Sequence, residues 1–377
     1  MRYRPYGRTG RSVSEVGLGG HREGVETHGG IERNARFCWT AQERAAIVGR
    51  AIDRGVTYFD TTFGCEIASL GESLRLLGKR DGLFVSGMRV DFFALLLKDA
   101  ASPREFTRRE VEHRLREFGF DHIEQFILGA MEQGDPLARA SIMEEVFEEL
   151  AVLRAEGKIN HVGFSCHDPN YAAKLLTAFP QFSAVMVPYN FANRVAEGAL
   201  EDAVRHTGAA WIGMKSLVWR FYGIGLPVIR DLRPIPCRLE HDPGAPIAAL
   251  AIKWMLRNER LTTCVPAANS CEAVDENTSA CDGGPMTDEE RATVEAYRAA
   301  GEAEEGAFLA LGGLHASNGR TLEMSIGLAK KVFGLQADPI DWDQPDAEER
   351  AKATAKGFLD KLRTDPKWAA CLPARTG

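Results

Sequence analysis

Residues Val56 to Gly71, VTYFDTTFGCEIASLG, decide the fold of this chain. The stretch begins as a short apolar run, reaches Asp60, turns through Thr-Thr-Phe-Gly and continues as a helix-forming segment. A short apolar run without alternation is typical of a strand that is covered on both faces. Asp60 lies where this strand ends, and the carboxyl ends of parallel strands carry the functional side chains of such folds. The stretch predicts one β-α unit of a parallel sheet, with a candidate site residue at its carboxyl end.

The same unit recurs along the chain. Further strands are predicted at 83–88, 122–128, 159–165, 184–189, 209–215 and 261–266. The helices between them carry start signals such as the capping boxes Thr40–Glu43 and Ser102–Glu105. With a strand before His21, the series has eight strands, and alternation of eight strands with helices predicts a closed (β/α)8 barrel, or TIM barrel. An open doubly wound sheet is the alternative, but no Gly-x-Gly-x-x-Gly sequence opens a helix here.

Segments outside the repeating units complete the predicted architecture. Residues before Gly20 form two short alternating runs split by Gly10, which predict an N-terminal β-hairpin and then the first barrel strand. The barrel domain is predicted to span residues 1–305 and to end in a charged helix that opens with the capping box Thr287–Glu290. Residues 306–377 are predicted to form a helical C-terminal extension packed on the barrel, with helix candidates at 322–333 and 345–363.

Composition restricts the classes of partner. The 377 residues carry a net charge of −7 and are 45% apolar, which argues against nucleic acid and favours a small-molecule partner. The longest apolar run, Phe92 to Leu97, is too short to span a membrane. No apolar signal-peptide core occurs in the first ten residues, and the eight cysteines form no Cys-x-x-Cys pair. We expect a cytoplasmic protein with reduced thiols; the sequence does not predict the oligomeric state.

Several motifs together resemble the aldo-keto reductase superfamily. They are the opening stretch, the N-terminal YRPYGRTGRSVSEVGLGG, Arg154–Ile159 with Val162–Ser165, Pro188–Asn190, and Cys264–Pro266 through Asn277. Their order and spacing resemble this family over about residues 1–283. The resemblance implies a barrel of aldo-keto reductase type and hydride transfer between a nicotinamide cofactor, NAD or NADP, and a carbonyl compound.

The resemblance also implies a catalytic set of Tyr, Lys, Asp and His, of which this chain keeps one member. Asp60 matches the Asp. The positions of the Tyr, Lys and His align with Phe63, Met88 and Gly129, none of which can hold or donate the required proton. The sequence therefore predicts a degenerate site in which carbonyl reduction uses a non-standard proton donor.

Other polar residues near predicted strand ends are candidates for that chemistry. The predicted catalytic set is Asp60, His167, Lys215 and Arg89. Arg89 takes the lysine position if the alignment slips by one residue, and Cys65 is an alternative for the tyrosine position because the loop is short. Asp60 is expected to pair with Arg89 or Lys215.

The cofactor half of the site is also altered. Ser165 matches a serine that binds the nicotinamide carboxamide in the family, but its usual neighbours are replaced. The predicted cofactor-binding set is Ser165, Asn190, Ser216, Asn269, Ser270, Glu276 and Asn277. Because no Lys or Arg lies where the family holds a 2′-phosphate, NAD is slightly favoured over NADP.

Two further hypotheses remain at the level of sequence. His21, Glu23 and His28, with Glu66 and His167, are ligand types, but their spacing is loose, so no metal site is predicted. The residues also leave open a non-redox barrel enzyme, such as a lyase or isomerase acting on a sugar or polyol. A catalytically inactive binding protein that kept the barrel is the third alternative.

Overall fold

The computed structural model describes residues 1–19, 25–27, 35–37, 40–217 and 246–310, with a few single positions between 338 and 364. Contacts divide the chain into two compact units. The first comprises Met1–Asn190, Arg194–Ser216 and Ala248–Met286 and contains the barrel. The second comprises Phe191–Asn193, Leu217–Ile247 and Thr287–Gly377.

The described strands lie close to the predicted positions. They are β1 (Tyr3–Pro5), β2 (Ser12–Ser14), β3 (Val25–Thr27), β4 (Ala35–Phe37), β5 (Tyr58–Thr61), β6 (Phe84–Arg89), β7 (Ile123–Leu128), β8 (Ile159–Ser165), β9 (Ala184–Pro188), β10 (Ala210–Met214) and β11 (Leu261–Cys264). β5 to β11 form one seven-stranded sheet in chain order, with every neighbouring pair parallel. β1 and β2 form the predicted hairpin.

The segment from Glu15 to Gly19 closes the sheet into a barrel. On one side Gly17 N donates to Cys264 O at 2.8 Å, and Gly19 N donates to Pro266 O at 3.0 Å. On the other side Leu18 N donates to Tyr58 O, and Asp60 N donates to Leu18 O, both at 2.9 Å. This segment therefore occupies the gap between β5 and β11 as the first barrel strand, and the predicted eight-stranded barrel is confirmed.

The barrel interior is filled by side chains that alternate along the strands. Tyr6, which follows β1, packs against Tyr58 and Phe84, with ring centroids 6.0 Å and 4.4 Å away. The hydroxyl groups of Tyr6 and Tyr58 both donate to Gln125 Oε1. This aromatic layer lies at the amino-terminal ends of the strands, so the functional groups of the interior are confined to the opposite end.

The helices begin where the sequence signals predict. They are α1 (Ala41–Asp53), α2 (Gly64–Leu77), α3 (Phe92–Leu96), α4 (Pro103–Phe118), α5 (Ala140–Ala155), α6 (Pro169–Ala178), α7 (Ala199–Thr207), α8 (Ile247–Leu256), α9 (Cys271–Ser279) and α10 (Asp288–Ala310). Both halves of the predicted capping boxes form at α1, α4 and α10. Asp168 caps α6 by accepting from Asn170 N and Tyr171 N.

Some elements differ from the sequence prediction. The segment between His21 and Trp39, for which no strand was predicted, contains the antiparallel pair β3 and β4. The short helix α3 and a 3-10 turn at Pro136–Arg139 lack a period that the sequence could reveal. The helix predicted to end at 305 continues to Ala310. The predicted C-terminal helices lie outside the described residues, and the domain boundary stays a prediction.

Candidate active site

Residues with a strained backbone conformation cluster after the carboxyl ends of the barrel strands. Four described residues other than glycine have a left-handed backbone, with φ between 50° and 58°: Asp91, Ala130, Asp135 and Lys215. All four lie in the loops after β6, β7 and β10. Such conformations raise the energy of the fold by roughly 1 kcal/mol or more each and persist where surrounding structure holds them, which is common at functional sites. This end of the barrel, the mouth, is therefore the candidate active site.

Asp60 is a buried carboxyl at the mouth and the penultimate residue of β5. It is 5% exposed, and within the part of the chain that the structure describes its Oδ1 atom has no hydrogen-bond partner. Burial raises the pKa of Asp60 to about 7, and the nearby Glu66 carboxylate adds to this rise. Ser86, its partner across β6, and Lys215 act in the opposite direction. A carboxyl with this pKa is about half protonated near pH 7, whereas an ordinary Asp is almost fully ionised there.

Glu66, in the first turn of α2, is the carboxylate that opposes ionisation of Asp60. Its Oε2 atom accepts from Thr62 N at 2.5 Å and from Phe63 N at 3.1 Å. Arg44 is fully buried on α1, and burial lowers the pKa of its guanidinium to about 9. The nearby Glu66 carboxylate partly offsets this effect. Backbone donors and a neighbouring cation both favour the ionised form of Glu66. The two acids thus have different environments, and Asp60 is the one whose pKa is raised to about 7.

Lys215 and Asn190 form the opposite side of the mouth. Lys215 directly follows β10 and adopts φ +58°, and Asn190 Nδ2 donates to its carbonyl oxygen at 2.8 Å. The charge of Lys215 is close enough to Asp60 to lower the pKa of that carboxyl. Ser216 is buried and donates to Gly213 O at 3.2 Å. The charge of Lys215 therefore acts on Asp60, and a direct pairing of the two side chains stays a prediction.

Arg89 takes a different direction. It is the last residue of β6, and its Nε atom lies 2.6 Å from Glu110 Oε2 on the surrounding helix α4. Met88, its neighbour, belongs instead to the cluster that fills the barrel. Strand alternation explains the difference, because successive side chains point to opposite faces. The structure does not bring Arg89 to Asp60, and its catalytic role stays a prediction without support from these contacts.

Phe63, Met88 and Gly129 form an apolar and closed part of the mouth. Phe63 and Met88 are buried, at 8% and 5% exposure. A Cβ atom on Gly129 would lie 2.7 Å from Arg89 O and 2.9 Å from Val90 Cα. Because both contacts are to backbone, no side chain fits at Gly129 unless the neighbouring strand end shifts.

Ser165 lies at the end of β8 and is 3% exposed. Its hydroxyl accepts from Ala130 N at 3.0 Å and donates to Met88 Sδ at 3.8 Å. A thioether is a weak acceptor, so the hydroxyl proton can turn to a stronger acceptor at little energetic expense.

His167 and Glu132 meet where the loops after β7 and β8 run side by side. His167 Nδ1 lies 2.7 Å from Glu132 Oε1, and His167 N donates to Glu132 Oε2 at 3.2 Å. Cys166, beside them, is fully buried and donates to Asp168 O, and burial raises the pKa of its thiol well above the usual value. The thiol is therefore unreactive. Glu132 was not identified from the sequence, where only its position three residues past Gly129 could have indicated it.

The residues predicted for the adenosine end of the cofactor lie on α9 and just before it. Asn269 is exposed, and Ser270 caps the helix by accepting from Ala273 N at 3.1 Å. Asn277 Nδ2 donates to Ala267 O at 3.1 Å, and Glu276 Oε1 accepts from Ala248 N at 3.3 Å. The amide and carboxylate of this helix therefore hold the surrounding backbone, and the helix start is the part that faces solvent.

Some of the residues considered as metal ligands lie outside the described part of the chain. His21, Glu23 and His28 lie outside the described residues. Across the described ranges, no three His, Cys, Asp or Glu side chains are arranged to hold a metal ion. The described helices also include none that is long and apolar enough to cross a membrane.

Comparison with known proteins agrees with this geometry. The family model described as "Aldo/keto reductase family" matches residues 35–299, which is more than half of the chain. This chain belongs to the aldo/keto reductase family. Membership implies NAD(P)-dependent oxidoreduction of carbonyl compounds and leaves the substrate and the proton donor open.

Individual relatives of this aldo/keto reductase are distant. It is 24% identical over 342 residues to the L-glyceraldehyde 3-phosphate reductase of Escherichia coli O157:H7, covering 80% of this chain and 94% of the relative. The enzyme of the same name from strain K12 is 23% identical over the same shares. The holo form of aldo-keto reductase AKR11C1 from Bacillus halodurans superposes with a TM-score of 0.58 at 20% identity, covering 79% of this chain and 96% of that one. At this identity the last similarity shows the fold alone.

Proposed function

We propose that this protein reduces a small carbonyl or sugar-like substrate with NADH or NADPH, and that Asp60 donates the proton in place of the tyrosine that aligns with Phe63. The observation that carries the proposal is the buried carboxyl of Asp60, whose pKa is raised to about 7 at the barrel mouth. A general acid works best when its pKa lies near the working pH. The names of the curated relatives, both L-glyceraldehyde 3-phosphate reductases, support a sugar-like aldehyde as the substrate class.

The residues present fit a nicotinamide nucleotide. Among the described residues the hydroxyl proton of Ser165 meets the thioether of Met88, a weak acceptor, so it can donate to a carboxamide oxygen instead. The exposed start of α9, with Asn269 and Ser270, suits the phosphate groups of the adenosine half. When bound, the cofactor supplies the hydride.

The chain's own groups then complete the reduction. As the carbonyl carbon gains hydride, the carbonyl oxygen takes the proton of Asp60, and the product is an alcohol. Asp60 is left as a carboxylate, which Lys215 stabilises through its charge. Asp60 takes up a proton from solvent before the next turnover.

Nucleotide binding is the direct test of the proposed function. Titration with NADH and with NADPH, followed by tryptophan fluorescence, is expected to show saturable binding below about millimolar concentration, the range of ordinary substrate affinities. Aldehydes of the sugar class are then expected to oxidise the bound nucleotide. Failure of both nucleotides to bind at millimolar concentration would contradict the proposal and favour a non-redox enzyme or a binding protein.

Substituting Phe63 with tyrosine is expected to leave carbonyl reduction within about tenfold of wild type, below the gain that a positioned general acid provides. Met88 supplies no cation at the position where the family has its lysine, and Gly129 has no room for a histidine. The measurement is kcat for Phe63→Tyr beside Phe63→Leu, which controls for the loss of the original ring. A gain of several hundredfold in the tyrosine variant alone would show that the site is an ordinary reductase site lacking one group.

A further inference from the structure

Three polar side chains lie side by side in the barrel interior beneath the mouth. Asp60 on β5 is the register partner of Ser86 on β6, and Ser86 is the register partner of Gln125 on β7. Neighbouring strands lie about 4.8 Å apart, and side chains at paired positions of parallel strands point to the same face. Asp60 is the penultimate residue of its strand, whereas Gln125 is the third of six. The three side chains therefore form a polar row from the mouth toward the aromatic layer.

Each member of the polar row has a buried atom that makes no hydrogen bond with the described residues. These atoms are Asp60 Oδ1, Ser86 Oγ and Gln125 Nε2. Buried polar atoms are almost always hydrogen-bonded in proteins. A serine hydroxyl has one donor hydrogen and two acceptor sites, and it rotates to suit its neighbours. The unpaired carboxyl oxygen of Asp60 and the unpaired hydroxyl of Ser86 on the next strand therefore indicate a second arrangement in which the two atoms pair.

Tyr58 connects the polar row with the aromatic layer. It lies two residues before Asp60 on β5, so its side chain points to the same face. Its hydroxyl donates to Gln125 Oε1 at 3.1 Å, and the hydroxyl of Tyr6 donates to the same oxygen. Ser86 acts to lower the pKa of both Asp60 and Tyr58 against the effect of burial, so its hydroxyl is close to the oxygen atoms of both. Because Gln125 Oε1 has two donors, it keeps one of them when Tyr58 turns away.

We infer that Ser86 and Tyr58 are positioning residues that act on Asp60 through a hydrogen-bond chain, which forms when Asp60 gives its proton to the substrate. Ser86 then donates to Asp60 Oδ1, and Tyr58 turns from Gln125 to donate to Ser86. While Asp60 is protonated, Tyr58 donates to Gln125, as in the structure. Each hydroxyl keeps its own proton and only rotates, so the transfer from Asp60 to the carbonyl oxygen is the one proton transfer in this step.

The inference rests on the proposed function and deepens it by naming the groups that stabilise the carboxylate left on Asp60. Hydrogen bonds to a charged group are stronger than those between neutral groups, and the bonds of a chain polarise one another. The charged groups that act on Asp60 from other elements are Glu66 on α2, which opposes ionisation, and Lys215 after β10, which favours it. Tyr6 and Tyr58 stay neutral, because burial raises the pKa of both hydroxyls. The chain thus adds to the effect of Lys215 from within the barrel.

Titration of Asp60 tests the chain without substrate or nucleotide. Carbon-13 NMR of the full chain with labelled aspartate carboxyl groups, with Asp60→Asn to assign the signal, gives the titration midpoint of Asp60. Ser86→Ala is expected to raise this midpoint by about one pH unit, the contribution of one hydrogen bond to a charged group. Tyr58→Phe keeps the ring and is expected to raise the midpoint by less, since Tyr58 acts through Ser86. An unchanged midpoint in either variant would overturn the inference, and if one variant fails to fold the other decides it.

Thr61→Val is the matched control for these variants. Thr61 is buried beside Asp60, and its hydroxyl donates to the backbone carbonyl oxygen of Ser86 at 2.8 Å rather than to the serine side chain. Valine keeps the shape of the residue and removes one buried hydroxyl from the same region. It is expected to leave the midpoint of Asp60 unchanged. A rise equal to that in Ser86→Ala would show a general effect of losing a buried hydroxyl and would overturn the assignment.

The pH profile of the active protein tests the same chain during turnover. In Ser86→Ala the decline of kcat with increasing pH is expected to move upward together with the midpoint of Asp60. On the plateau at lower pH, kcat is expected to fall about tenfold with KM changed far less, because the proton donor becomes a weaker acid. A purely structural role of Ser86 would lower kcat without moving the pH profile, and that result would overturn the inference.

The outcomes separate the chain from the proposed function. Carbonyl reduction by the wild type, together with an unmoved pH profile and an unmoved midpoint in Ser86→Ala, would overturn the chain and leave the proposed function standing. Absence of nicotinamide binding and of carbonyl reduction would overturn the proposed function, and the carboxyl titration would then decide the hydrogen-bond chain alone.

Discussion

Asp60→Asn is expected to lower kcat for carbonyl reduction by about 100-fold to 10,000-fold, the contribution of a positioned general acid. Asparagine keeps the shape of the side chain and cannot supply the proton. Binding of NADH or NADPH is expected to change little, because the residues proposed to hold the nucleotide are on other strands. The measurement is steady-state kinetics with the matched variant Asp121→Asn, an exposed carboxylate at the amino-terminal end of β7.

If Asp60 is the proton donor, the rate of carbonyl reduction must also depend on pH in a definite direction. The proton donor must be protonated, and burial raises the pKa of Asp60 to about 7. The rate is therefore expected to be high below pH 7 and to fall as the pH rises through that value. In Asp60→Asn this decline is expected to disappear from the remaining activity. An unchanged pH profile in the variant would exclude Asp60 as the donor.

The same substitution is expected to stabilise the fold at neutral and alkaline pH. In the unfolded chain Asp60 ionises near its ordinary pKa, whereas in the fold burial raises that pKa to about 7. A raised folded pKa of an acid means that stability falls as the pH increases from about 4 to 7 and then levels off. Asparagine removes this effect, so Asp60→Asn is expected to gain on the order of 4 kcal/mol in unfolding free energy at pH 8 and little at pH 4. Urea unfolding at the two pH values measures the difference.

Gly71→Ala is expected to destabilise the barrel by about 3 kcal/mol, at the upper end of the usual range for overpacking. Gly71 lies in α2, where a Cβ atom would be 1.9 Å from Phe118 O and 2.9 Å from Phe118 C at the end of α4. These are backbone atoms and cannot rotate away, so the two helices must separate. Helix propensity alone predicts that this substitution stabilises the protein, because alanine is favoured over glycine inside a helix by about 1 kcal/mol.

Gly284→Ala is the control for this prediction. A Cβ atom on Gly284 meets no atom within 4 Å. Urea or thermal unfolding is expected to place this variant within about 0.5 kcal/mol of wild type, as for most surface substitutions. A stabilised Gly71→Ala variant would show that the spacing between α2 and α4 is wider than the structure gives.

The barrel could be predicted because its signals are local. Each strand is a short apolar run that ends in polar or glycine residues, and each capping box lies within four residues of sequence. The boundaries of β5 to β11 therefore differ from the predictions by at most a few residues. The pair β3 and β4 was missed because a pair of three-residue strands in a polar, glycine-rich segment has no period to detect.

The sequence predicted where the polar side chains lie along the chain, and it predicted only part of what they contact. Asp60 and Lys215 were placed correctly at strand ends, since the end of a run marks the mouth. Arg89 was expected near Asp60, yet it faces Glu110 on α4. A shift of one residue along a strand reverses the face, and the sequence cannot say which of Met88 and Arg89 points inward without its neighbours.

By itself, the amino-acid sequence determined the barrel, the end of its second strand and the position of Asp60 at the mouth. The tertiary structure alone decided that the pKa of Asp60 is raised beside Glu66, that backbone closes the space at Gly129, and that Glu132 contacts His167. The reason is physical. Strand and helix signals depend on neighbours along the chain, whereas burial, charge and hydrogen bonds depend on groups that only folding brings together.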